Sequence, residues 1–243
     1  MIQKAGFFLS LILLLTFIAC KKDELGGDSD YKTLGTSAGD LLSASVYSSL
    51  KVEISYMPGH QPDEQSINNL KVFLNTYLNK PAGIQITTRE IPASGKSTLS
   101  LKEIVSLEKK YRRFFTEYNE VGVYILITDS DFSNPDNFAT SYWNTSICLF
   151  GKTIKESSGA AGQPSRTVLL STLFKHEFGH LMGLVNQGSP SKVSHIDSSN
   201  GAHCRNASCL MFYDVETPIG GFLSTVPALD ADCRADLKAN GGK

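Results

Sequence analysis

Two histidines four residues apart, His176 and His180, stand with Glu177 between them inside an otherwise largely apolar stretch, residues 167–185. On a helix, residues four apart lie on one face about one turn apart, so this stretch sets two imidazoles side by side. A helix that is apolar around them buries them. Two imidazoles and a carboxylate are costly to bury unless something satisfies them. The chain must therefore fold around this helix and bring a partner to its polar face.

A divalent metal is the partner that this spacing fits, with His176 and His180 as two preset ligands. Glu177 projects beside the pair, where it can take a proton from a metal-activated water rather than bind the metal. Gly183, three residues after His180, lets the chain turn sharply out of the helix and return a third ligand. Two more histidines follow, His195 and His203, so four of the five in the chain fall between residues 176 and 203.

With these residues the sequence resembles the metzincin clan of zinc metallopeptidases, whose pattern runs from two helix histidines, through a glycine, to a third ligand and a methionine turn. Asn186 stands where the third histidine normally would. Further on, His203-Cys204, then Cys209 and Leu210-Met211, is similar to the arrangement in archaemetzincins. Read that way, residues 184–202 contain an insertion, His203 is the third zinc ligand, His195 is its alternative, and Met211 is the methionine of the turn. Tyr213 resembles the tyrosine that some metzincins place near the metal as an extra ligand or transition-state donor, and reads equally as an aromatic packed under the turn. The family's later cysteine pair is represented at most by Cys233, which implies an incomplete structural zinc site and leaves a disulfide as the simpler fate of Cys204 and Cys209.

The resemblance implies a zinc-dependent endopeptidase acting on protein or peptide substrates, with a metzincin-like fold similar to that of uncharacterised lipoprotein metallopeptidases of Bacteroidetes. Two rivals stay open. One is a clan with an acidic third ligand, Asp197 or Glu216. The other is a surface lipoprotein that uses its domain for adhesion or peptide binding around a structural metal.

Composition and the N-terminus frame that reading. The 243 residues, 41% hydrophobic and 19% charged, suit one sizeable globular domain. Twenty-three basic against 24 acidic residues give a net charge of −1, which argues against a nucleic-acid partner. Lys4, the apolar run 7–18 and Ala19-Cys20 read as a secretory signal. It resembles a bacterial lipoprotein signal, with Phe17 in place of the usual leucine. The expected organisation is a signal peptide at 1–19, lipid on Cys20 as a membrane anchor, a flexible tether over 20–45, and a catalytic domain over 46–243. Lys21-Lys22-Asp23-Glu24 is similar to the export signals of surface lipoproteins, placing the protein in the cell envelope, on an outer membrane. Four cysteines then remain, and an even count in an exported chain suggests disulfides, Cys204–Cys209 and Cys148–Cys233, with a second metal site as the competing use of the thiols.

Periodicity predicts alternating strands and helices, an α/β (α+β) fold, and the metzincin resemblance implies a mixed, mostly parallel sheet with the active-site helix and a smaller, irregular C-terminal subdomain. Strands are expected at 50–56, 84–88, 121–127 and 146–150, the last as an edge strand able to hold an extended peptide. Helices are expected at 63–79, from 97 or 100 to about 118, at 167–185 and at 222–239. Between them, 129–144 reads as a polar loop in which Asp129 and Asp131 could hold calcium.

Overall fold

In the computed structural model of the chain, residues 29–133, 137–216 and 224–243 are described. The signal sequence, Cys20 and the first part of the expected tether lie outside them. Among the described residues no helix is long and apolar enough to cross a membrane.

Elements follow in the order α1 (Ala38–Leu42), β1 (Ser49–Tyr56), α2 (Glu64–Tyr77), β2 (Gly83–Glu90), β3 (Thr98–Leu99), α3 (Leu101–Tyr111), β4 (Glu120–Thr128), β5 (Asp131–Phe132), β6 (Ala139–Trp143), β7 (Ser146–Phe150), α4 (Gly151–Glu156), α5 (Arg166–Leu181), a 3-10 turn (Tyr213–Glu216) and α6 (Ala231–Ala239). The main sheet has the order β2-β1-β4-β7-β6, parallel throughout except for β6, which runs antiparallel to β7. This is the mixed, mostly parallel α/β architecture that the strand and helix periodicity and the resemblance together lead one to expect.

Strand β4 explains why the sheet is covered on both faces. Its Val121, Val123, Ile125 and Ile127 join the larger core with α2 and α5, while Tyr124 and Leu126 point into a smaller core under α3. A strand apolar at every position can only be central. Strand β7 behaves alike, with Ile147 and Leu149 on one side and Cys148 and Phe150 on the other. It is therefore not the edge strand expected from its place before the motif helix. The edge is β6, which forms inside the stretch read as polar loop.

Two further expectations change. Helix α3 stops at Tyr111 rather than near residue 118, because the N–H groups of Arg113 and Phe114 donate to Glu53 Oε2 (2.7 and 3.2 Å) instead of to the preceding turn. And the described part of the tether, 29–45, is folded onto the domain. Leu41 and Leu42 are fully buried in the larger core, and the Asp30 carboxylate accepts from the Thr116 N–H (2.8 Å) and hydroxyl (2.6 Å) beside Arg112 (3.3 Å). Arg112 in turn meets Glu108 (2.8 Å), which accepts from Tyr142 and Ser146 (both 2.7 Å). This buried network ties the N-terminal segment to β6 and β7.

Candidate metal centre

Helix α5 starts where Ser165 Oγ accepts the Val168 N–H (3.2 Å), a side-chain cap at a free helix terminus. Leu169, Leu170, Leu173, Phe174 and Phe178 bury it in the larger core. His176, Glu177 and His180 are carried into the interior with them, the first two fully buried and the third nearly so. The helix ends at Gly183, whose φ of +73° belongs to the left-handed region. Val185 (φ +55°) and Asn186 (φ +67°) continue the turn.

The chain then returns His203 to the same point. Ligand nitrogens of His176, His180 and His203 all lie within 4.8 Å of one another, with ring centroids 4.8, 5.4 and 5.1 Å apart. Each ring has its Nδ1 taken up by an oxygen. His176 donates to the Leu210 carbonyl (2.6 Å), His180 to Gln187 Oε1 (3.2 Å) and His203 to the Asn200 carbonyl (2.7 Å). With Nδ1 protonated, a neutral imidazole turns its lone pair out through Nε2. His176 Nε2 and His180 Nε2 face each other at 3.1 Å, close to the roughly 3.3 Å edge of a tetrahedron of zinc-bound nitrogens. Two lone pairs at that distance repel unless a cation lies between them, so the donor set fits zinc.

Glu177 lies beside this cluster, and its Oε2 accepts from Ser141 Oγ (2.6 Å) on the edge strand β6. Neither Ser141, Gln187 nor the two carbonyls can be found by motif reading, since all four are matched to the site only by the fold. Underneath, Met211 packs against α5 so closely that a Cβ on Gly179 would meet its Sδ at 2.2 Å. The methionine expected from the resemblance is thus directly below the motif. Tyr213 opens the 3-10 turn with its ring tilted against Phe212 at 4.8 Å.

His195 does not join the three rings. Its Nε2 donates to Asp236 Oδ2 (2.8 Å) and its Nδ1 faces Cys204 Sγ (3.5 Å) and Cys233 Sγ (3.9 Å). Asp197, one of the acidic rivals, spends its carboxylate on the Ser199 N–H (2.9 Å) and Asn200 Nδ2 (2.8 Å), bonds that hold its pKa down. That turn presents the Asn200 carbonyl to His203. Asp129 and Asp131 are also engaged apart from each other, by Ser94 and Ser130 and by Lys152 and Thr153 respectively.

The expected disulfides are absent among the described residues, where Cys148, Cys204, Cys209 and Cys233 are all buried free thiols. Cys148 lies in the core under α3, across the sheet from Cys233, and cannot reach it. Cys209 and Cys233 have their sulfurs 3.6 Å apart, beyond bonding distance. The hydrogen bond from Cys233, with backbone N–H groups of Asp230 and Met211, lowers the Cys209 thiol to about 7 against the opposing effect of burial. Burial raises Cys204 to about 12.

No protein-family profile matches this chain, and no curated protein does. Among solved structures it is similar to archaemetzincin from Methanopyrus kandleri, at 13% identity and a TM-score of 0.49, over 79% of this chain and 96% of that one. It is also similar to metalloproteinase-II from Bacteroides fragilis, at 14% identity and a TM-score of 0.45, over 82% of this chain and 54% of that one.

Proposed function

We propose that the protein is a zinc-dependent endopeptidase with His176, His180 and His203 as metal ligands and Glu177 as general base. The observation that carries this is the orientation of the three rings, each tied at Nδ1 so that the Nε2 atoms converge, with Glu177 on the same helix beside them. A zinc ion held there supplies a Lewis acid that polarises a peptide carbonyl and makes water easier to deprotonate.

Glu177 takes the proton from the attacking water and returns it to the leaving amine. Ser141 keeps the Glu177 carboxylate aimed, through the 2.6 Å bond to Oε2. Because Ser141 belongs to the edge strand, a substrate that adds to β6 as a further strand passes beside that carboxylate. Gln187, Leu210 and Asn200 hold the ligand rings in the tautomer that binds metal.

The N-terminal sequence supports a lipid-anchored protein of the bacterial envelope, with Cys20 carrying the lipid. The test of the function is a peptide-library digestion by the zinc-loaded chain. Cleavage that disappears in His203→Ala is expected. A zinc-loaded chain that leaves every library member intact contradicts the proposal.

A further inference from the structure

We infer that residues 29–38 form a strap that positions a metal ligand, with Asn144 as its peg and Gly35 as the point where it bears on the turn carrying Gln187. The inference rests on the reading of the histidine triad as a zinc site, and adds to it a control exerted by the N-terminal segment.

The peg is made of hydrogen bonds on either side of Gly35. Asn144, fully buried in the turn between β6 and β7, takes the Lys32 N–H on its Oδ1 (2.9 Å) and donates its own N–H to the Lys32 carbonyl (3.0 Å). Its Nδ2 donates to the Ser29 carbonyl and to Ser37 Oγ (both 2.6 Å). Both ends of the side-chain amide are thus committed to the strap. Tyr31 adds an edge-on ring contact with Trp143, at 6.2 Å between centroids. A segment held at Lys32 and again at Ser37 leaves Gly35 little slack.

At Gly35 the strap meets the turn after α5 backbone to backbone. A Cβ on Gly35 (φ +82°) would lie 1.4 Å from the Gln187 carbonyl oxygen, and a Cβ on Gly188 (φ +135°) would lie 2.3 Å from the Gly35 oxygen. Only glycine on both sides permits that approach. Three residues on, the Ala38 methyl backs Gly183, where an added Cβ would meet it at 2.8 Å. The turn is therefore supported at both of its ends, and it is this turn that sets Gln187 Oε1 against His180 Nδ1 (3.2 Å).

Stability alone does not account for these contacts. The apolar burial of the N-terminal segment comes chiefly from Leu41 and Leu42, beyond the strap, while Asp30 secures its start at Thr116 and Arg112. Between Tyr31 and Ala38 the hydrogen bonds to distant residues go to one asparagine, and the closest backbone approach is to one turn. An outer partner that orients a ligating imidazole is worth about 10–100-fold in metal affinity. A strap that fixes such a partner acts on affinity through it, and by no more than the partner itself is worth.

The test is a double-mutant cycle on the zinc affinity of the full chain, measured by competition with a chromophoric chelator and restricted to the zinc that His176→Ala/His180→Ala loses. Asn144→Ala should weaken that zinc by about 10-fold, and should weaken it no further in a Gln187→Ala background. Gly35→Ala should behave as Asn144→Ala does. Ile91→Ala, in the smaller core at the far end of β2, should lower the urea midpoint and leave zinc affinity unchanged. Should Asn144→Ala fail to fold, Ser37→Ala removes a single bond of the peg and should give the same pattern at a smaller effect. Affinity within about twofold of wild type in the strap variants, losses from Asn144→Ala and Gln187→Ala that multiply, or an equal loss in Ile91→Ala would each overturn the inference. A wild-type chain that binds zinc and cleaves no peptide counts against the peptidase reading instead, and the affinity cycle still decides the role of the strap.

Discussion

Replacing Gly183 with alanine places a methyl group where the turn after α5 has no room for one. At φ +73° the new Cβ lies 2.5 Å from Ser189 N, 2.8 Å from Gly188 C and 2.8 Å from Ala38 Cβ. A left-handed conformation costs a non-glycine residue about 1–2 kcal/mol. Overpacking against a buried neighbourhood adds about 1–3 kcal/mol, here at the upper end because two of the three atoms are backbone. The expected loss of stability is therefore about 4–5 kcal/mol, a large share of the roughly 5–15 kcal/mol that holds a domain folded. It would appear as a fall of about 1–3 M in the urea midpoint with little change in slope. Metal binding should suffer too, since Gln187 and Ser189 both donate to the Gly183 carbonyl (3.1 and 2.9 Å), and a shifted turn takes Gln187 away from His180. A variant within about 1 kcal/mol of wild type, with unchanged zinc affinity, would refute both the packing of the N-terminal segment beneath this turn and the role given to Gln187.

Further outcomes follow from other parts of the structure. Glu177→Gln keeps the shape of the carboxylate but cannot take a proton, so zinc content should hold while kcat falls by about 10²–10⁴-fold in a peptide-cleavage assay. Asp30→Ala strips a buried acceptor from Thr116 and a charge from Arg112, and should cost about 3 kcal/mol in chemical denaturation, whereas a true tether residue would cost nothing measurable. Gln187→Ala should weaken zinc binding at the triad by about 10-fold or more, read by competition with a zinc chelator. The Glu103 carboxyl is held at about 2, below its ordinary 4.5, first by Lys96 and then by Ser100. An acid lowered in the folded state is protonated first in the unfolded chain, so its contribution is complete above pH 4.5 and fades as pH falls toward 2. The stability gap between wild type and Glu103→Gln should narrow across that window when followed by thermal unfolding.

What could be read in the sequence was whatever depends on local spacing. Two histidines four apart define a helix face by themselves, and the turn at Gly183 follows from a glycine three residues on. Strand β4 declares its central place by being apolar at alternate positions and between them. Sheet order is different. Nothing local distinguishes β7 from an edge strand, because its neighbour β6, with Thr140, Ser141 and Tyr142, has the composition of a loop and becomes a strand only by pairing with β7. The segment 29–45 looks like a linker because its anchors are one carboxylate and a short pair of leucines, whose partners lie some 80 residues and more away. His195 reads as a rival third ligand because residue type does not separate it from His203, and only the fold pairs it with Asp236, 41 residues later, away from the triad.

The most direct measurement is anomalous X-ray scattering at the zinc edge from crystals of the zinc-loaded chain. A peak about 2.0–2.1 Å from the Nε2 atoms of His176, His180 and His203, with Glu177 outside the coordination shell, is the expected result. A map with no peak at that point, or with zinc there held by Glu177 while His203 points elsewhere, would contradict it.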